Sequence, residues 1–128
     1  MNPTNRDTVY TGRRFADGVE VKRDRRPLSP AASWRVRNHS PTGFEWGYGG
    51  SGPAQLALAL MLDVLGDAGL AQRCYHWIMW ATVSTWSNSW RVTAGELLDL
   101  VERWRAEVEG HDHAEPIAPF VVAEGGGA

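Results

Sequence analysis

The run Ala54–Leu65, AQLALALMLDVL, constrains this chain more than any other stretch. Alanine, leucine and methionine are strong helix formers, and neither glycine nor proline interrupts them. Only Gln55 and Asp63 are polar, so nearly every side of the helix has to be covered by other parts of the protein. No apolar run reaches the roughly 18–20 residues that a bilayer-spanning helix requires, so the expected setting is a water-soluble core with no membrane partner. A chain of 128 residues suits one domain, large enough to bury that core without disulfides or a structural metal.

Around this helix the pattern is α+β. Thr8–Arg14 and Val19–Asp24 read as strands joined through Phe15-Ala16-Asp17-Gly18. Asp-Gly is a strong hairpin signal, because the turn needs a positive φ that glycine adopts without steric cost. Val19 and Val21 alternate with Glu20 and Lys22, which sets the valines on one face. The segment RRPLSP, residues 25–30, is expected to be a linker, since both prolines break a strand ladder. Ser33–Asn38 is expected as a third strand, with Trp34 and Val36 inward and Arg35 and Arg37 outward. The central helix starts near Ser51-Gly52-Pro53, with Ser51 as cap and Pro53 in the first turn. After GDAG (residues 66–69), Asp67 is placed to cap a second helix, with Leu70, Cys74, Trp77 or Ile78, and Ala81 at helical spacing. Ser89–Val92 suits a short strand, and Thr93-Ala94-Gly95-Glu96 has the capping-box pattern of a third helix bearing Leu97, Val101, Trp104 and Val108. The expected fold is a small antiparallel sheet, the N-terminal hairpin plus one or two more strands, packed on about three helices. It forms a single domain over residues 8–109, between a disordered N-terminus at 1–7 and a flexible tail at 110–128.

Charge is divided unevenly along the chain. Residues 1–40 carry nine Arg/Lys against four Asp/Glu, while residues 41–128 carry four against eleven. A basic first half hints at an anionic partner, nucleic acid included, through Arg13, Arg14, Lys22, Arg23, Arg25 and Arg26; a solvated basic hairpin explains the same residues. The N-terminus lacks the apolar core of a signal peptide, and the single cysteine, Cys74, suits a reducing cytoplasm.

Between the third expected strand and the central helix lies NHSPTGFEWGYGGSG, which has no hydrophobic period and reads as a shaped loop. Gly47-Tyr48-Gly49-Gly50-Ser51-Gly52 matches G-x-G-x-x-G as a string. The dinucleotide-binding context is absent, because a second helix and not a parallel strand follows, and no Gly-Lys-Ser/Thr supplies a phosphate loop. What survives is a helix start whose free N–H groups suit an anion. The expected ligand-binding residues are Arg37, Asn38, His39, Ser40, Thr42, Glu45, Trp46, Tyr48, Gly50, Ser51, Gly52 and Gln55, with Trp46 and Tyr48 as stacking surfaces. His39 is the natural general acid or base if the chain is an enzyme, an assignment the sequence leans against. No metal site is expected, because Cys74 and His76 are wrongly spaced on a helix, and no cofactor is implied.

Arg37–Asp63, RNHSPTGFEWGYGGSGPAQLALALMLD, together with VYTGRR (residues 9–14), RPLSP and WRVTAGEL (residues 90–97), resembles domain of unknown function family 6166. The resemblance implies a small bacterial or phage protein, often carried on mobile elements, with no established activity. The order of strand, His-containing loop and Ala-Gln-Leu helix is also similar to small viral ring nucleases that cut cyclic oligoadenylates, in which case His39 would protonate a leaving oxygen. The function expected first is a cytoplasmic phage or mobile-element accessory protein binding a phosphate-bearing small ligand or nucleotide at residues 38–55. The alternatives are an anti-defence module docking a host protein through Trp77, Trp80, Trp86 and Trp90, and a cyclic-oligonucleotide-cleaving or nucleic-acid-binding protein. The sequence leaves the oligomeric state open.

Overall fold

The computed structural model describes residues 5–110. The central helix is present as α2 (Ser51–Leu65), and every residue from Gly52 to Met61 is buried. It stops at Gly66, whose left-handed φ of 63° lets its N–H return to the Leu62 carbonyl. At the other end the cap is Gly50, not Ser51, and no side chain caps the helix. Pro53 still falls among the first four positions, where a missing N–H costs nothing.

The sheet has four antiparallel strands in the order β3-β2-β1-β4. β1 (Val9–Phe15) and β2 (Gly18–Arg23) form the expected hairpin, and β4 (Ser89–Thr93) pairs on the far side of β1. The inner face carries Tyr10, Val21, Trp90 and Val92, all buried in the core, while Thr11, Arg13, Glu20, Lys22, Ser89 and Arg91 alternate outward. α3 (Ala68–Ala81) is capped by Asp67, whose side chain accepts from Leu70 N. α4 (Ala94–Trp104) opens with the complete Thr93–Glu96 capping box and runs on into a π turn over Arg105–Glu109. The fold is α+β.

Two expected elements are corrected. Ser33–Asn38 is not a strand; it lies mostly within the short helix α1 (Ala31–Val36). Over six residues an alternating pattern and a single helical turn bury similar positions, so periodicity does not separate them. Pro30 sets the helix entry with φ −74°, and Trp34 N donates to its carbonyl at 2.9 Å. The deeply buried residue is Ser33, whose hydroxyl donates to Pro30 O at 2.7 Å. The second correction concerns RRPLSP. Arg26–Pro27 forms β3, a two-residue edge strand pairing Lys22 with Pro27 and Arg23 with Arg26. Proline is tolerated there because an edge strand has one side that needs no donor. Asp24 and Arg25 make the turn into it with φ 48° and 70°, and Asp24 braces it by accepting Val9 N at 2.8 Å.

Of the two polar positions on the central helix, Asp63 fastens α2 to the sheet. It accepts from the Tyr10 hydroxyl and from Arg23 Nε at 2.7 Å. Burial, reinforced by Asp63, pushes the Tyr10 phenol well above its ordinary range, so it stays a donor at every pH the fold tolerates. Asp63→Ala is expected to cost about 1.5–3 kcal/mol in urea unfolding, the range for hydrogen bonds to a charged group. A change under 0.5 kcal/mol would mean that the helix–sheet junction does not depend on this carboxylate.

At the N-terminal side, Arg6 O accepts Gly95 N at 2.9 Å, and Arg6 pairs with Asp99 at 3.0 Å, so residues from Arg6 onward meet α4. The tail expected at 110–128 lies outside the described residues beyond Gly110.

Candidate functional site

The loop between α1 and α2 is anchored from beneath by Gln55. This side chain is fully buried on α2, and both ends of its amide are used. Its Oε1 accepts from His39 N at 2.7 Å and Ser40 N at 3.0 Å, while Nε2 donates to Ser33 Oγ at 2.8 Å and Arg37 O at 3.0 Å. Gln55 therefore positions the loop, with its hydrogen-bonding capacity spent within the chain.

Held this way, His39 meets α3. Its Nε2 lies 2.6 Å from the Tyr75 hydroxyl, and the His39 and His76 rings have centroids 6.1 Å apart. Tyr75 and His76 are adjacent edge to face at 4.9 Å. Partial burial, then the positive charges of His76 and Arg37, lower the His39 pKa below its ordinary value. Burial raises that of Tyr75, with Arg37 opposing, so the phenol remains neutral beside the imidazole. Among the described residues no carboxylate contributes to the lowering of the His39 pKa. The cluster brings one guanidinium and two imidazoles together at the surface: Arg37 and His76 exposed, His39 half-buried, and Tyr75 beneath them.

The rest of the loop divides between packing and exposure. Ser40 is buried, its Oγ 3.4 Å from Thr42 Oγ1 and its carbonyl accepting Trp34 Nε1 at 2.9 Å. Trp46, expected as a stacking surface, is a core residue at 1% exposure, with Nε1 donating to Ser87 O at 2.7 Å. Glu45 pairs with Arg14 at 2.5 Å, and Arg14 also reaches Trp46 O at 3.0 Å. Tyr48 is the opposite case, 50% exposed.

The glycines explain themselves by close approach. Gly47 has φ 87°, and a Cβ there would stand 2.9 Å from Trp86 O. A Cβ on Gly49 would lie 2.0 Å from the Trp80 ring. Gly52 is buried against Glu45, and Ala54 N is already bonded to Gly50 O at 2.9 Å. The start of α2 is thus largely covered, leaving Ser51 exposed along with Asn38 and Thr42. The glycines make room for side chains.

The residues missed from the sequence are Tyr75 and His76. In the sequence they stand beside Cys74, which is fully buried, with burial pushing its thiol up to about 11. Among the described residues no three His, Cys, Asp or Glu side chains converge on one point. A usable signal existed: His76 and Trp80 stand four apart on α3, on the side opposite Cys74 and Ile78. Of the four tryptophans considered for docking, Trp80 alone is strongly exposed, at 62%. Trp77 lies under Arg103, and Trp86 stacks on Trp90 at 4.1 Å.

The family model described as "Family of unknown function (DUF6166)" matches residues 10–103, from β1 nearly to the end of α4. The chain belongs to this family. No curated protein and no solved structure matches it. The DUF6166 match takes in the whole loop, Gln55 and the His39–Tyr75–His76 cluster. Among the described residues no helix is long and apolar enough to cross a membrane.

Proposed function

We propose that this protein binds a phosphate-bearing small ligand, of the nucleotide class, where the loop meets α3. The observation that carries the reading is the grouping of the Arg37 guanidinium with the His39 and His76 imidazoles, with an exposed Trp80 one helical turn beyond His76. An anion placed against Arg37 and the two imidazoles opposes the burial and neighbouring positive charge that lower the His39 pKa, and an exposed indole offers a ring a stacking face. The string of glycines is not needed as a phosphate cradle for this role; what matters is that Gly49 seats Trp80 against the loop. A cytoplasmic accessory protein of phage or mobile-element type is the setting that suits such a binder. The exposure of Trp80 and Tyr48 favours a second reading, a host-protein docking patch on the same surface.

Thermal shift with inorganic phosphate and with mono-, di- and cyclic nucleotides tests the proposal. A ligand at a hundred times its Kd is expected to add about 2.7 kcal/mol, a shift of several degrees. His39→Gln with His76→Gln should abolish the shift while leaving the unliganded melt nearly intact. A flat panel against the unaltered protein overturns the reading, and capture of a protein partner lost on Trp80→Ala would favour the second.

The pH dependence has a definite sign. In the free protein His39 has a pKa below 6.5, so the unfolded chain binds more protons there, and stability falls as pH drops through the folded value. Bound phosphate raises the His39 pKa, so binding takes up a proton and affinity rises as pH falls toward the free protein's lowered value. Calorimetry in buffers of different ionisation enthalpy reads that uptake directly. Proton release on binding would contradict it.

A further inference from the structure

The cations of β1, β2 and β4 separate in the fold into two groups. Arg14 and Arg23 turn to Glu45 and Asp63 and are neutralised there. Arg13, Lys22 and Arg91 stand instead on the outer face of the sheet, joined by Arg25 from the β2–β3 turn. Thr11 sits between Lys22 and Arg91 in register, and Arg13 between Glu20 and Ser89. These side chains line an open cleft of about 540 Å³, in which Glu20 is the only carboxylate among the described residues. No described carboxylate lies within ion-pair distance of Arg13, Arg25 or Arg91, and Lys22 meets Glu20 only at 3.6 Å in solvent. Arg6, Arg73, Arg103 and Arg105, by contrast, all have acidic partners.

We propose that this outer sheet face docks the phosphodiester backbone of a nucleic-acid strand. Charge complementarity selects that occupant: four cations against one acid, three of the four being arginines, whose planar fork grips phosphate oxygens in pairs. Their spread selects a polymer over a single anion. Strands lie about 4.8 Å apart, so Arg91 and Lys22 flank β1 across roughly 10 Å, with Arg13 further along the central strand. The floor is mixed, with Thr11 and Ser89 beside Gly12 and Trp90, and among the described residues it carries no aliphatic side chain of the kind that fills the centre of a protein interface. At its margin stands Phe15, 43% exposed with the Arg13 guanidinium 5.2 Å from its ring centre, a stacking position for a base. The face is the side of the sheet turned away from the core that α2 and α3 share, so it is independent of the ligand surface proposed above.

Fluorescence anisotropy of the full chain with labelled single-stranded DNA, duplex DNA and RNA tests the proposal. With about three phosphates neutralised, affinity for at least one of them is expected to fall roughly 20- to 40-fold between 50 and 200 mM salt. Arg13→Gln with Arg91→Gln should weaken binding at least tenfold and flatten the salt slope by about two contacts. Arg35→Gln, an exposed arginine on α1, should leave both unchanged, as should His39→Gln, which separates this surface from the phosphate site. Absence of binding to all three probes at 50 mM salt overturns the proposal, as does binding indifferent to the Arg13/Arg91 pair. So does a doubling of mass by light scattering that the same pair abolishes, since the occupant is then the acidic half of a second copy.

Discussion

Gln55→Leu is expected to destabilise the protein by about 3–5 kcal/mol, among the largest effects available from one side chain. The expectation follows from what the amide holds. Removing it leaves His39 N, Ser40 N and Arg37 O without their partner, and takes one acceptor contact from Ser33 Oγ. Each buried polar group so stranded costs about 1–3 kcal/mol, reduced where the loop opens enough to admit water. The leucine fits the apolar surroundings of α2, so lost volume is not the cause. Gln55→Met, closer in length, is the control: it should cost nearly as much as leucine, because neither supplies an acceptor or a donor. Urea unfolding of the two variants decides the matter, and a Met variant within 1 kcal/mol of the parent would show that the loop holds without its staple. The same substitutions should release His39 from Tyr75 and weaken any phosphate binding beyond what stability loss alone accounts for. Amide exchange at His39 and Ser40 reports that release.

The two polar residues of the central helix show how far the sequence carries and where it stops. Their identity as exceptions on an otherwise apolar helix is visible in the string AQLALALMLDVL, and each proves to be a tie between elements. Their partners are not visible, since Tyr10 and Arg23 lie 53 and 40 positions away from Asp63. Elements governed by local rules were legible: the hairpin, the Asp67 cap, the Thr93–Glu96 box and α2 itself. α1 was not, because Trp34, Arg35, Val36 and Arg37 are too few to distinguish two periods, and the decisive contact is Ser33 with Gln55 across the fold. The site shows the same limit. His39 was found from the loop, whereas Tyr75 and His76 join it only once α3 lies alongside. The glycine string misled in a different way, because spacing alone does not tell a backbone cleared for phosphate from one cleared for a tryptophan ring.

Trp46 carries the second large effect. Trp46→Ala is expected to cost about 3–5 kcal/mol, the range for removing a buried tryptophan. Its ring meets Trp90 edge-on at 5.6 Å, and Trp90 in turn stacks on Trp86, so the indole is the inner member of a three-ring group joining the loop, the segment between α3 and β4, and β4 itself. From the other side the Arg14 guanidinium lies 4.9 Å from the ring centre while bonding Trp46 O, Glu45 and Asn88. Deleting the ring therefore leaves a cavity and removes the surface on which Arg14 is organised. Trp46→Phe separates the two contributions. It keeps most of the apolar contact and loses only the hydrogen bond to Ser87 O, so it should cost about 1–2 kcal/mol. The comparison also tests the assignment of Trp46 to the core. A core role predicts that both variants lower stability in that order while a Trp46→Phe protein retains its full thermal shift with phosphate ligands. Were Trp46 instead a stacking surface for a bound base, Trp46→Ala would leave the unliganded melt nearly unchanged and abolish the ligand response. At 1% exposure, with its one donor already committed to Ser87, the first outcome is the expected one.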